Sequence, residues 1–385
     1  MSADAVEPQN AAPPQSPSLP EFAQTLGHPR PLWMLFMTEF WERFAFYGMR
    51  WALVLYIVAQ FHGGDASGQG PASELYGAYL ALVYGAAIFG GYVADKLIGY
   101  QRSILVGAFF MALGLFLIMI PSEAWLKLGL ATVIVGNGLF KPIISTLVGK
   151  VYAPGDQRRD SGFTIFYMGI NLGAMLAPWL TGLLAERMFG GTPDLPAYKV
   201  VFIASGIGMV ISLLWFWVGR AQLKGIGAAP QEAQGLGRVA MVIAGCVVAV
   251  PVVFFLLTIP ASVLNWILLA LFIGPAIMLL VEGIRLGKVQ RDMVIAMLII
   301  FGFNVLFWMF FEQAGSSFNF LAQNIVERRF GDWVFPVGWF QSVNSIAIIT
   351  LAPVLAWLWV KMGPANPSIP RKFGLGLIFN GLAFL

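Results

Sequence analysis

The chain is 385 residues long with a formal net charge of +4 at pH 7; 58% of its residues are hydrophobic and only 11% are charged. Soluble domains carry about 25% charged residues, so this composition excludes a water-soluble fold. It points instead to a bilayer, whose hydrocarbon core takes helical apolar runs of about 20 residues.

Residues 1–31 hold Pro8, Pro13, Pro14, Pro17, Pro20, Pro29 and Pro31 with little apolar content, and read as a disordered cytoplasmic tail. The tail has neither the basic start nor the apolar stretch of a secretory signal. Ten apolar runs follow, at 32–61, 75–98, 102–121, 125–150, 161–189, 197–219, 238–258, 263–284, 292–325 and 333–360. An eleventh begins near Lys372 and is still running at Leu385. The fold class is therefore an all-α polytopic membrane protein.

The runs fall into blocks. Residues 32–219 form an amino-terminal six-helix bundle, closed by Arg220–Arg238, a linker rich in Gly, Ala and Gln. Two helices without charge in their central turns complete the segment 220–291, and they read as lipid-facing. Residues 292–385 recover polar groups at mid-depth and read as an incomplete second bundle, as in transporters built from repeated halves. Cys246 is the single cysteine, so no intrachain disulfide forms.

The Lys and Arg residues follow topology. With the amino terminus inside, 15 of the 23 fall in cytoplasmic segments and five (Lys127, Arg187, Lys199, Arg328, Arg329) on the opposite side; Arg43, Arg50 and Lys141 lie within membrane runs. That alternation is the positive-inside pattern and sets an inside amino terminus. Nucleic-acid binding has no support in such a distribution.

Within the first run, Thr38–Arg50 reads TEFWERFAFYGMR. Glu39, Arg43, Phe46 and Tyr47, and Arg50 recur at helical spacing on one face, with Glu42 beside it. Four unpaired charges at a helix centre would cost about 10–14 kcal/mol on insertion scales. The Glu-first order of Glu39 and Arg43 offsets part of this. A self-neutralising pair that only packs the bundle is one reading; an ion or substrate pathway is the stronger one, because intramembrane ionisable groups mark such pathways. Arg50 has no acid within one turn and must find its partner on another helix.

Lys141 stands deep in the run 125–150, ahead of Pro142, too far from the helix end for easy snorkelling. Glu312 stands in 292–325 without a basic neighbour on its own helix. It reads either as a fixed salt bridge or as a group whose proton affinity Arg50 or Lys141 switches. Tyr84, Tyr167, Asn171 and Asn344 are uncharged polar groups in apolar surroundings, each an interhelical hydrogen bond or a ligand contact. Trp308, one turn before Glu312, is core packing or the wall of a pocket. Together these groups outline a bipolar cavity suited to a small zwitterion.

Four motifs carry a resemblance. EFWERFAFYG (Glu39–Gly48) resembles the E-x-x-E-R-F-x-Y-Y-G motif of the proton-dependent oligopeptide transporters, a branch of the major facilitator superfamily. GGYVADKLIGYQR (Gly90–Arg102) resembles that superfamily's loop between helices 2 and 3. FTIFYMGINLGAMLAPWLTG (Phe163–Gly182) is similar to the family's helix-5 signature, and FEQAGSS (Phe311–Ser317) to its helix-7 motif. Phe46 departs from the pattern, where the first of two tyrosines is usual.

The resemblance implies a major facilitator fold of 12 core helices plus the two inserted ones of the bacterial branch. The chain then ends within core helix 9, as expected of a truncated sequence or fragment. It implies proton coupling by Glu39, Glu42, Arg43 and Glu312, and a gate salt bridge between Arg50 and Glu312. It implies a substrate site of Arg43, Tyr47, Arg50, Tyr84, Lys141, Tyr167, Asn171, Trp308 and Asn344. The implied function is proton-coupled symport of di- and tripeptides by alternating access, by a monomer in a bacterial inner membrane, with the proton gradient as energy source and no cofactor or metal. A related carrier of another anion, such as nitrate or a carboxylate conjugate, is the alternative; a non-transporting scaffold or sensor is a further one. An intramembrane enzyme is disfavoured, since His28 and His62 lie outside the membrane runs and no Gly-x-Ser-x-Gly or His-Glu-x-x-His motif occurs.

Overall fold

A computed structural model describes residues 20–193, 195–229 and 235–384. Because lipid offers the backbone no hydrogen bonds, each apolar run must satisfy its own amides, and it does so as a helix. The helices are α1 (Arg30–Phe61), α2 (Gln69–Tyr92), α3 (Tyr100–Leu117), α4 (Glu123–Lys150), α5 (Arg158–Leu183) and α6 (Tyr198–Gly219). After them come α7 (Leu236–Leu256), α8 (Ala261–Arg285), α9 (Lys288–Phe311), α10 (Ser317–Asn324), α11 (Trp339–Lys361) and α12 (Ile369–Leu382). Among the described residues, ten helical spans are long and apolar enough to cross a membrane.

α1 is the buried axis of the first six helices. It packs along α5 and α6, while α3 packs along α4 and α2 along α4. The α3–α4 seam is made of glycines: a Cβ on Gly107 would sit 2.6 Å from the Gly136 carbonyl oxygen, and one on Gly136 equally close to that of Gly107. Small residues of this kind let membrane helices approach to backbone contact. α7 packs on α4, and α8 and α9 pair as a hairpin whose faces are mostly exposed.

Three features depart from the sequence expectations. The tail was expected to be disordered through residue 31. Residues 1–19 lie outside the described residues, but Gln24–Thr25 and His28–Pro29 pair as antiparallel strands β1 and β2, and α1 already begins at Arg30. Side-chain bonds hold this hairpin: Arg158 Nη1 donates to Gln24 Oε1 (3.0 Å) and to Gly27 O (3.1 Å), and His28 Nδ1 lies 2.8 Å from the Tyr152 hydroxyl. The linker is ordered over 220–229, where Gly227 O accepts from the Gln101 amide at 3.0 Å; residues 230–234 lie outside the described ones.

The expected continuous helix 292–325 is broken. α9 stops at Phe311, Glu312–Gly315 form a tighter turn, and Ser316 leaves helical geometry at φ −129°, ψ −90° before α10 starts. The expected helix from 333 begins only at Trp339, because Trp333–Val334 pair with Arg329–Phe330 as strands β4 and β3.

Candidate functional site

Helical spacing brings the α1 charges to one buried face, where Glu39, Glu42, Arg43 and Arg50 are each less than 7% exposed. Arg43 Nε lies 3.2 Å from Glu39 Oε1. Its tighter partner is the adjacent Glu42, which Arg43 grips with Nε and Nη2 against both carboxylate oxygens. The guanidinium also lies over the Phe46 ring, 5.0 Å from its centroid. The aromatic face that a tyrosine would present at this position is therefore kept without the hydroxyl.

Arg50 turns away from this cluster. Its Nη2 donates to Glu312 Oε2 at 2.7 Å and its Nε to the Tyr76 hydroxyl at 2.7 Å, with the Tyr47 ring 5.6 Å from the guanidinium carbon. The break in α9 makes this possible, because it presents Glu312 at a helix end. Gly315 completes it: a Cβ there would overlap the Tyr76 hydroxyl and lie 2.9 Å from Arg50 Nε. The carbonyls freed by the break are taken up by side chains. Asn319 Nδ2 donates to Gly315 O and to Trp51 O, each at 3.1 Å, and Gln341 Nε2 donates to Ala314 O and to Asn319 Oδ1.

Beside the Arg50–Glu312 pair lies an open cavity of about 640 Å³. Tyr84, Lys141, Trp308 and Glu312 from the expected set line it, with Ser73, Tyr76, Gly77, Leu80, Met309, Gln313 and Ser316. Lys141 Nζ sits 4.5 Å from the centroid of the Tyr84 ring, a cation–π contact. Its wall does not take in Arg43, Tyr47, Arg50, Tyr167, Asn171 or Asn344. Tyr167 is half-exposed, and the buried Asn171 donates to Tyr167 O at 2.9 Å within its own helix. Asn344 is exposed on α11.

Sequence reasoning missed Tyr76, Asn319 and Gln341. Polar residues inside apolar runs were a usable signal for the last two, but Tyr76 is one of many aromatics and nothing local marks it. Among the described residues no group of three or more His, Cys, Asp or Glu side chains could hold a metal ion.

Hydrogen bonds join α9–α11 and their connections to the carboxyl-terminal halves of α1 and α5 and to the segment after α5. Besides those above, Glu186 accepts from the Val337 amide (2.9 Å) and Arg328 donates to Pro193 O (3.1 Å). Trp339 Nε1 donates to Trp179 O (2.9 Å), and Ser342 to Met175 O (2.7 Å). These bonds hold the two halves together on that side.

A multi-pass helical bundle with buried charges, a cavity between halves that Lys141 and Glu312 line, and hydrogen bonds that join the halves away from the amino terminus defines a membrane transporter of the major facilitator type. The chain belongs to the POT family, whose model matches residues 101–385. It is 34% identical to dipeptide and tripeptide permease B of Edwardsiella piscicida, covering 94% of this chain and 72% of that one. Among solved structures it resembles a mutant POT peptide transporter in complex with alafosfalin, at 34% identity and TM-score 0.79 over 94% of this chain and 74% of that one. It also resembles a POT transporter in complex with 5-aminolevulinic acid, at 30% identity and TM-score 0.77, over 94% and 76% of the two chains.

Proposed function

We propose that this chain is a proton-coupled symporter that imports di- and tripeptides by alternating access. The observation that carries the reading is the Arg50–Glu312 ion pair, which ties α1 to the break in α9 at the edge of a cavity that also presents Lys141. A cavity of about 640 Å³ is within the range of small-ligand sites, about 300–1,000 Å³. The permease relatives and the peptide-transporter structures support peptides as the substrate class.

In this reading Lys141 holds the peptide carboxylate, with Tyr84 and Trp308 along the cavity; Arg43, Tyr47 and Tyr167, and Asn171 and Asn344 toward the amino end, stand outside its wall and join the site as the halves rearrange around substrate. Glu39, Glu42 and Glu312 are the groups able to take up a proton, since arginine stays charged at any working pH. Protonation of Glu312 releases Arg50 and loosens the seal; protonation of Glu42 or Glu39 releases Arg43 toward substrate. The chain acts as a monomer in a bacterial inner membrane with its amino terminus in the cytoplasm, so the observed seal faces outward and the cavity serves the inward-open state.

The test is uptake of labelled dialanine into proteoliposomes of the purified protein under an inward proton gradient. Uptake is expected to fall at least ten-fold in Glu42→Gln and in Lys141→Ala; unchanged uptake in both sinks the reading. The relative that binds 5-aminolevulinic acid keeps a second reading open, a carrier of other small zwitterions or carboxylates. Competition that favours 5-aminolevulinic acid over dialanine by ten-fold or more selects it.

A further inference from the structure

The two glutamates beside Arg43 differ in what their oxygens do. Both oxygens of Glu42 are taken by Arg43. Glu39 offers only Oε1 to Arg43, and its Oε2 is buried without a hydrogen-bond partner. Of the several other side chains with a buried, unpartnered polar atom, one stands on α4. Asn137 on α4 is fully buried, and neither its Oδ1 nor its Nδ2 has a partner in the protein.

Helix geometry puts the two on touching helices, about one helical turn apart in depth. α1 and α4 run in opposite directions through the bundle and touch. Glu39 is nine residues from Arg30 at one end of α1, and Lys141 nine residues from Lys150 at the same side of the membrane. Both therefore lie about 13 Å in, and Asn137 and Arg43 both about 20 Å in, at helical rise. Asn137 precedes Lys141 by one turn on the same face of α4. Lys141 in turn lines the cavity.

Buried carboxylate and amide atoms without partners are costly, and water is the species small enough to satisfy them inside a packed bundle. We propose that Asn137 is a proton-path residue: its amide and Glu39 Oε2 hold water between the α1 carboxylates and the cavity at Lys141. A proton then reaches Glu39 without passing through Glu42. In the step itself a hydronium in this chain gives one proton to Glu39 Oε2 and remains as water, while the Asn137 amide keeps its own protons. Asn137 acts through water and so positions the path. The inference deepens the symport reading by naming Glu39 as the first acceptor.

The test has one arm that needs no peptide. In the empty protein, a pH jump followed by infrared spectroscopy reads protonation at the carboxyl band that disappears in Glu39→Gln. The rate is expected to fall about ten-fold in Asn137→Leu, with Asn137→Val as the smaller apolar replacement if leucine does not fold, and to recover at least half-way in Asn137→Ser, which restores a hydroxyl. Equal rates in the wild type and the apolar variant overturn the proposal. The second arm is proton-driven dialanine uptake, where Asn137→Leu is expected to lower the maximal rate about ten-fold with KM unchanged. A raised KM at an unchanged maximal rate contradicts it. Wild-type protein that moves no dipeptide refutes the symport reading alone, because the infrared arm still decides the path.

Discussion

Arg43 and Arg50 stand seven residues apart on one helix, yet they serve different regions. Arg43 belongs to the interior of the first six helices, where its carboxylates come from its own helix and sit less than 5% exposed. Arg50 belongs to the seam between halves, where its acid comes from α9, 262 residues away, and keeps a fifth of its side chain exposed. An ion pair within one helix does not depend on how the two halves sit, and only a proton on its acids breaks it. A pair across the seam depends on how the halves sit, and under the proposed alternating access it exists only in the arrangement that closes them. The same chemistry thus gives a pair set by protonation alone in one place and one set also by the arrangement of the halves in the other.

The strongest way to break this comparison is Arg43→Ala, which strands two buried carboxylates. Removing one partner of a buried ion pair costs about 3–5 kcal/mol, so the variant is expected to unfold in detergent well below the wild type in a thermal melt. A melting temperature equal to the wild type would show that the cluster is not an interior fixture. Glu312→Gln sharpens the other half of the comparison. Its melting temperature is expected to stay close to the wild type, while dialanine uptake falls about ten-fold. Spin labels at the exposed Met188 and Ile325, across the seal, are expected to gain a longer-distance component. An unchanged distance distribution would count against a state-dependent pair.

The smallest effect concerns the amino-terminal hairpin, remote from both arginines. Hydrogen bonds from Arg158 hold the Asp156 carboxyl at about 2, below its ordinary 3.8. Because the folded value is depressed, this support is present above pH about 4 and is lost as pH falls through about 2. Asp156→Asn removes it at all pH values. Amide exchange over residues 24–27 is expected to quicken several-fold at pH 7, with uptake unaltered; equal exchange would mean that Arg158 holds the hairpin unaided.

Much of the architecture was legible in the chain. Apolar length gives the membrane spans because lipid leaves the backbone no partner but itself, and all ten long runs appear as helices, one of them broken. The break at Glu312–Gly315 went unread because the polar, glycine-containing stretch Glu312–Ser317 sits inside a long apolar run, and its hold lies elsewhere. It is stabilised by Asn319 and Gln341, the latter 26 or more residues further on, and by the fit of Gly315 against Tyr76. The hairpin at residues 24–29 was hidden for a similar reason: its hold comes from Arg158 and Tyr152, which no tail composition reveals.

By itself, then, the sequence determined the spans, the alternation of basic residues and the shared face of Glu39, Arg43 and Arg50. Each of these follows from the period of one helix or the length of one run. Only the tertiary structure decided that Arg43 grips Glu42 more tightly than Glu39, which glutamate keeps a free oxygen, and where α9 ends. Those outcomes depend on contacts between distant helices, and side-chain chemistry at one position does not specify what packs against it.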